Sequence, residues 1–205
     1  MLDRKILDLT RSTLLSLARK LAAKGVRADQ VSWLGFLLGL CAVPLIALQH
    51  ELWAIVFILL NRLADGIDGS IARLTTPTDR GAFLDIALDF LFYSAIPLAF
   101  ALANPQQNAL AAVTLLYAFV GTGSSFLAFA VIAAKRQLSS THFPEKGFYY
   151  LGGLTEATET IAVFVLMCLL PQYFWALAYM FAALCALTTA TRIVAGIKAF
   201  TGSAD

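Results

Sequence analysis

Charge is what this chain lacks most. Only 14% of its 205 residues are Asp, Glu, Lys or Arg, against roughly 25% in soluble domains. That shortage, with 60% hydrophobic residues and a mean hydropathy of +0.77, excludes an ordinary water-soluble domain. The net charge of +2 gives no basic footprint for nucleic acid. Cysteine is equally scarce. Cys41, Cys168 and Cys185 stand inside apolar runs, and an odd set so placed reads as small buried hydrophobes, with no disulfide framework or metal site. The first 27 residues are laced with charge and lack an apolar core of about 7–15 residues, so no cleavable signal peptide is expected. No internal repeat or low-complexity segment stands out.

What is present is a series of apolar runs. Six are near the roughly 20 residues needed to span a bilayer: 31–49, 52–73, 81–103, 109–134, 148–170 and 173–197. They are punctuated at His50-Glu51, at 74–80 with Pro77, at 104–107, at 135–146 and at Pro171-Gln172. Residues 1–27 precede them. Ile6, Leu7, Leu14, Leu17 and Leu21 share one broad face, and Arg4, Lys5, Arg11, Arg19 and Lys20 lie elsewhere. That pattern predicts an amphipathic interfacial helix. The expected fold is all-α and integral to the membrane, one domain over 1–205. Seven Lys/Arg lie in the amino-terminal segment. Arg73, Arg80, Lys135, Arg136 and Lys146 fall at the second and fourth connections, and the odd connections have none. The positive-inside rule then puts both termini in the cytoplasm.

Four carboxylates interrupt the second and third runs. Asp65 and Asp68 are i,i+3, and Asp85 and Asp89 are i,i+4, so each pair occupies one helix face. Ionised carboxylates in hydrocarbon persist only with a partner or a function, and bound divalent cations answer the need economically. Gly69 and Ala72 leave room for a ligand against the backbone. Arg73 offers a rigid fork suited to phosphate oxygens. Carboxylates for metal, metal for a diphosphate and arginine for the remaining charge form a phosphoryl-transfer inventory. The residues alone leave other readings open: a salt-bridge set with Arg62, Arg73 and Arg80, an ion-coupled transporter using intramembrane acids, or a membrane scaffold.

The segment Asp65-x2-Asp68-Gly69-x2-Ala72-Arg73, seven residues, then Gly81-x3-Asp85-x3-Asp89 resembles the signature of the CDP-alcohol phosphotransferase (phosphatidyltransferase) family. All eight signature residues are present, and the spacer is seven where the family usually has eight. The resemblance extends over the whole chain and is greatest to a small bacterial inner-membrane subgroup. It implies a homodimeric enzyme of the bacterial inner membrane. Such an enzyme transfers a phosphatidyl or related group from a CDP-alcohol, such as CDP-diacylglycerol, to an acceptor hydroxyl and releases CMP in phospholipid biosynthesis. It also implies that Asp65, Asp68, Asp85 and Asp89 hold two divalent cations, Mg or Mn, with Asp89 as general base. Gly69, Ala72, Arg73, Thr78 and Gly81 would lie at the CDP moiety. Asp29, Gln30, Val31 and Ser32 would lie near the cytidine, with Ala28 and Ser32 standing where relatives carry Pro and Thr.

Several charged residues fall outside the motif. Glu156 and Glu159, with Tyr149 and Tyr150 nearby, read either as recognising an acceptor or as pairing with Arg192 or with the partner in a dimer. Arg192 interrupts an apolar run and reads as lining a pocket on the acceptor side or as one of a buried pair. Lys135, Arg136 and Lys146 read either as binding an acceptor phosphate or as topology and headgroup contacts. Gly121-Thr-Gly-Ser-Ser125 reads as helix packing or as cavity lining.

Overall fold

The computed structural model describes residues 2–136 and 155–201, with side chains from residue 13 onward. Every regular element among them is helical: α1 (Leu2–Ala23), α2 (Ala28–Leu40), α3 (Ala42–Ala47), α4 (Glu51–Leu74), α5 (Asp79–Ala103), α6 (Pro105–Lys135), α7 (Ala157–Leu169) and α8 (Phe174–Phe200). A short 3₁₀ turn, Pro171–Tyr173, leads into α8. The expected breaks at His50, Asn104-Pro105 and Pro171 fall between elements, each for a local reason. Asn104 Oδ1 accepts from Gln107 N–H at 3.3 Å, and Pro105 occupies the first turn of α6, where its missing N–H costs nothing. Thr78 caps α5 by accepting from Gly81 N–H at 3.0 Å.

Two expectations are altered. The first run, 31–49, is not one helix: α2 ends at Leu40 and α3 begins at Ala42. Pro44 has no N–H to donate, and its ring crowds the carbonyl of residue 40. The fifth run was expected from 148. Helix α7 starts at Ala157, and Glu156 is its N-cap rather than part of the helix. Residues 148–154, like Lys146, Tyr149 and Tyr150, lie outside the described set, as do the side chains of Arg4, Lys5, Ile6, Leu7 and Arg11.

Four stretches are long and apolar enough to cross a membrane: Ala28–Ala47, Asp79–Ala103, Pro105–Lys135 and Pro171–Phe200. Large apolar side chains point outward along the helices; Leu52, Leu110 and Val120 are each at least 66% exposed. An apolar exterior of this extent is the surface that lipid covers. The chain is a multi-pass membrane protein.

Inside, an aromatic core joins α5, α6, α7 and α8, with Phe92, Phe100, Phe164, Phe174 and Phe181 essentially fully buried. Phe100 and Phe174 stack with ring centroids 4.4 Å apart. A second, smaller core packs α1 on the motif half of α4 through Ala18, Ile67 and Ile71, with Leu14 and Leu21 at its edge. Helix α2 packs along α4 and also against α5, whereas α4 and α5 make little direct contact. The two carboxylate-bearing helices are thus held apart by a third.

Glycine sets how closely α2 approaches. A Cβ added at Gly35 would lie 2.5 Å from Ala64 Cβ, and one at Gly39 would lie 2.8 Å from the Phe92 ring. Close backbone approach through small residues is a common packing device in membranes. Gly35→Leu is therefore expected to destabilise the fold by about 1–3 kcal/mol or more through overpacking. A lowered thermal unfolding midpoint in detergent would be the readout, and an unchanged midpoint would contradict this packing.

Candidate active site

The acidic residues converge as their spacing suggests. Asp65 and Asp68 sit on one face of α4, Asp85 on the first turns of α5. Their nearest carboxylate oxygens all lie within 4.8 Å of one another. Between them is a crevice of about 20 Å3, walled by Ser32, Gly35 and Phe36 of α2, Asn61 of α4, and the four acids Asp65, Asp68, Asp85 and Asp89. That is space on the scale of an ion or a water or two. An all-oxygen donor set of this kind suits hard divalent cations, so the residues fit a divalent-cation site. Asp89 lines the crevice but stands outside the tight three-carboxylate group.

Each of three acids is pinned by a neighbour. Asp65 pairs with Arg62 one helical turn earlier. Asp68, almost fully buried, accepts from the Ser32 hydroxyl. Asp89 Oδ2 accepts from the Tyr93 hydroxyl at 3.1 Å. Outer partners of this kind orient metal-ligating carboxylates.

Arg73 lies over Gly69: a Cβ there would sit 3.4 Å from Arg73 Nη1. Arg73 Nη2 donates to Ser70 Oγ at 3.2 Å. Ala72 is half-buried beside it. At the neighbouring rim, Asp29 of α2 pairs with Arg80 at 3.1 Å. Asp29 Oδ1 also lies 3.5 Å from a Cβ built on Gly81, so Asp29, Thr78 and Gly81 meet there. The four residues of the tetrad 29–32 are placed differently. Gln30 caps α2 by accepting from Arg27 N–H at 3.0 Å, and Val31 is buried in the small core with Ile67 and Ile71. Ser32 alone lines the crevice.

Asp85 and Asp89 also line a second, larger cavity of about 360 Å3. Arg73, Tyr93, Thr122, Glu156, Thr160 and Arg192 contribute polar groups to it, and Phe90, Phe119 and Phe126 an aromatic wall. Arg192 is buried on α8, donates from Nη1 to the Thr122 carbonyl at 3.1 Å, and has its guanidinium 5.6 Å from the Phe126 ring centroid. Glu156 makes no side-chain cap for α7; its side chain lines this cavity instead. Glu159 does not line it. Its Oε2 is buried with no hydrogen-bond partner among the described residues. Lys135 is exposed at the end of α6, away from both cavities.

The motif gave no sign of Tyr93 or Thr160, although each stands i+4 from an acid already marked. Thr122 comes from the small polar stretch of α6, and that stretch both lines the cavity and packs helices. It lines the cavity, while Cβ atoms at Gly121 and Gly123 would meet Thr189 Oγ1 at 3.1 Å and the Phe90 ring at 2.9 Å.

The sequence is 53% identical over 196 residues to the inner membrane protein YnjF of Escherichia coli (strain K12), covering 96% of this chain and 95% of that one. It is 30% identical over 101 residues to the archaetidylinositol phosphate synthase of Pyrococcus horikoshii, covering 49% of this chain and 54% of that one. The fold matches the crystal structure of Mycobacterium tuberculosis phosphatidylinositol phosphate synthase (PgsA1) with CDP-DAG bound, with a TM-score of 0.67 and 19% identity over 90% of this chain and 93% of that one. Residues 25–195 match the CDP-alcohol phosphatidyltransferase family, and the chain belongs to it.

Proposed function

We propose that this protein transfers a phosphatidyl group, or a related substituted phosphate, from CDP-diacylglycerol to an acceptor hydroxyl and releases CMP. The observation that carries this reading is the junction of two spaces. A four-acid crevice of ion scale opens beside a cavity of about 360 Å3, and Asp85 and Asp89 belong to both. The CDP-DAG bound to the fold relative supports the choice of donor.

Divalent cations held by Asp65, Asp68 and Asp85, with Asp89 beside them, would supply charge neutralisation for the diphosphate. Arg73, over Gly69, binds phosphate oxygens and offsets charge on the departing CMP. Asp29, Thr78 and Gly81 form the rim where the nucleotide would rest. Asp89 takes the proton from the acceptor hydroxyl. The acceptor oxygen then bonds to the lipid-side phosphorus, the bond from that phosphorus to the bridging oxygen breaks, and CMP leaves with that oxygen. The larger cavity receives the acceptor, with Arg192 and Glu156 orienting its polar groups.

Topology follows from the same reading. Helix α4 has 24 residues, roughly 36 Å at about 1.5 Å per residue, so it spans despite its charges. With α7 it completes six crossings, and α1 lies at the interface with Ala18 buried against α4 and Arg19 and Lys20 exposed. The basic connections support both termini, and the active site, lying at the cytoplasmic face of a bacterial inner membrane. The transporter reading is less well supported, since α4 and α5 run unbroken through their acids.

The test is CMP release by purified protein from labelled CDP-diacylglycerol against a panel of acceptors: polyol and sugar phosphates, amino alcohols such as serine, and lipid alcohols. Release that depends on one acceptor is expected; none with any would sink the reading. Arg192→Met then probes the acceptor side. A KM for that acceptor raised at least about tenfold, with CDP-lipid binding and thermal stability unchanged, is the expected result. Lowered stability with unaltered acceptor kinetics would make Arg192 purely structural.

A further inference from the structure

We propose that Tyr93 is a positioning residue for Asp89: its hydroxyl holds one carboxylate oxygen and so fixes where the other points. This rests on the transferase reading above. Tyr93 follows Asp89 by one turn of α5, the spacing at which side chains on one helix face meet. Its hydroxyl donates to Asp89 Oδ2 at 3.1 Å.

The ring that carries this hydroxyl is fixed from behind. Its centroid lies 5.9 Å from that of Phe92 and 6.2 Å from that of Phe164. Both phenylalanines are fully buried and belong to the large aromatic core. Tyr93 is half-buried: its ring rests on that core on one side and borders the larger cavity on the other. These two ring contacts hold the anchor, so Asp89 takes its orientation from a residue packed on a core that spans α5 and α7.

That orientation matters because of where Asp89 stands. It lines both the small crevice and the larger cavity. A carboxylate there has to present an oxygen to an acceptor hydroxyl within hydrogen-bond reach. With Oδ2 committed to Tyr93, Oδ1 is the oxygen left to face the reaction. The arrangement parallels Arg62 on Asp65 and Ser32 on Asp68. Tyr93 differs from them in lining the larger cavity itself.

Tyr93→Phe removes the hydroxyl and keeps the ring. In full-length protein, with rates counted per molecule that binds CDP-diacylglycerol, kcat is expected to fall roughly tenfold to a hundredfold, the scale of a misplacement of about 1 Å. KM for the CDP-lipid should stay within about twofold and the unfolding midpoint near the parent's. In an Asp89→Asn background the same change should lower the residual rate no further, because the two residues act through one bond. Tyr93→Leu is the second variant, should Phe leave too little folded protein, and the same loss of kcat is expected. Turnover by Tyr93→Phe within about threefold of the parent would overturn the positioning role and leave the proposed reaction intact. A lowered midpoint with unchanged kcat per binding-competent molecule would overturn it too, in favour of packing. A parent protein that releases no CMP with any acceptor would instead overturn the proposed reaction, and this role in it.

Discussion

Asp89→Asn is expected to reduce CMP release by about 10²–10⁴-fold, the usual weight of a positioned general base, while CDP-diacylglycerol still binds. Asn has the size and shape of Asp and can still accept from the Tyr93 hydroxyl that reaches Asp89 at 3.1 Å. It cannot take a proton from an acceptor. Because Asp89 stands outside the tight carboxylate group of Asp65, Asp68 and Asp85, much of the cation-holding donor set survives the change. The kinetic signature is a collapse in kcat with a CDP-lipid affinity close to the parent's. Turnover within about tenfold of the parent would assign the proton to another acceptor.

Removing divalent cations should be as damaging. Chelation is expected to take CMP release to background, and Mg or Mn to restore it. Asp68→Asn should reduce Mn binding, measured by titration in detergent, by at least about tenfold. Asp68 is almost fully buried and lines the crevice. Ser32→Ala gives a finer version of the same test. It leaves every carboxylate in place and removes only the hydroxyl that donates to Asp68. Outer partners of metal ligands are commonly worth about 10–100-fold in affinity or activity. Full activity without divalent cations would dispose of the metal site. Unchanged Mn affinity in Ser32→Ala would show that the serine only packs.

These expectations draw on two kinds of information. The carboxylate pairs were legible because a helix returns to the same face every three or four residues. Asp65 with Asp68, and Asp85 with Asp89, needed nothing beyond their spacing and their apolar surroundings. The tetrad 29–32 shows where such reading stops. Four consecutive helical residues point in directions about 100° apart, so Ser32 reaches the acids while Val31 enters the core and Gln30 turns back to cap its own helix. Pro44 was visible in the sequence, but the helix break it imposes at Cys41 went unread within a continuous apolar run.

The sequence by itself determined that this is a helical membrane protein with two acid-bearing helices and the full signature of its family, since hydropathy and helical period are local properties. Tertiary structure decided the rest of the site. Helix α2 stands between α4 and α5 because Gly35 and Gly39 let it come close, and the crevice exists because those two helices are held apart. Thr122, Glu156, Thr160 and Arg192 come from α6, from the start of α7 and from α8, up to 70 residues apart in the chain for the bonded pair Thr122 and Arg192. No local periodicity relates such positions. Only the packing of α6 on α8 and of α7 against α4 and α8 brings them to one cavity, because in hydrocarbon it is shape and the satisfaction of polar groups that choose helix partners.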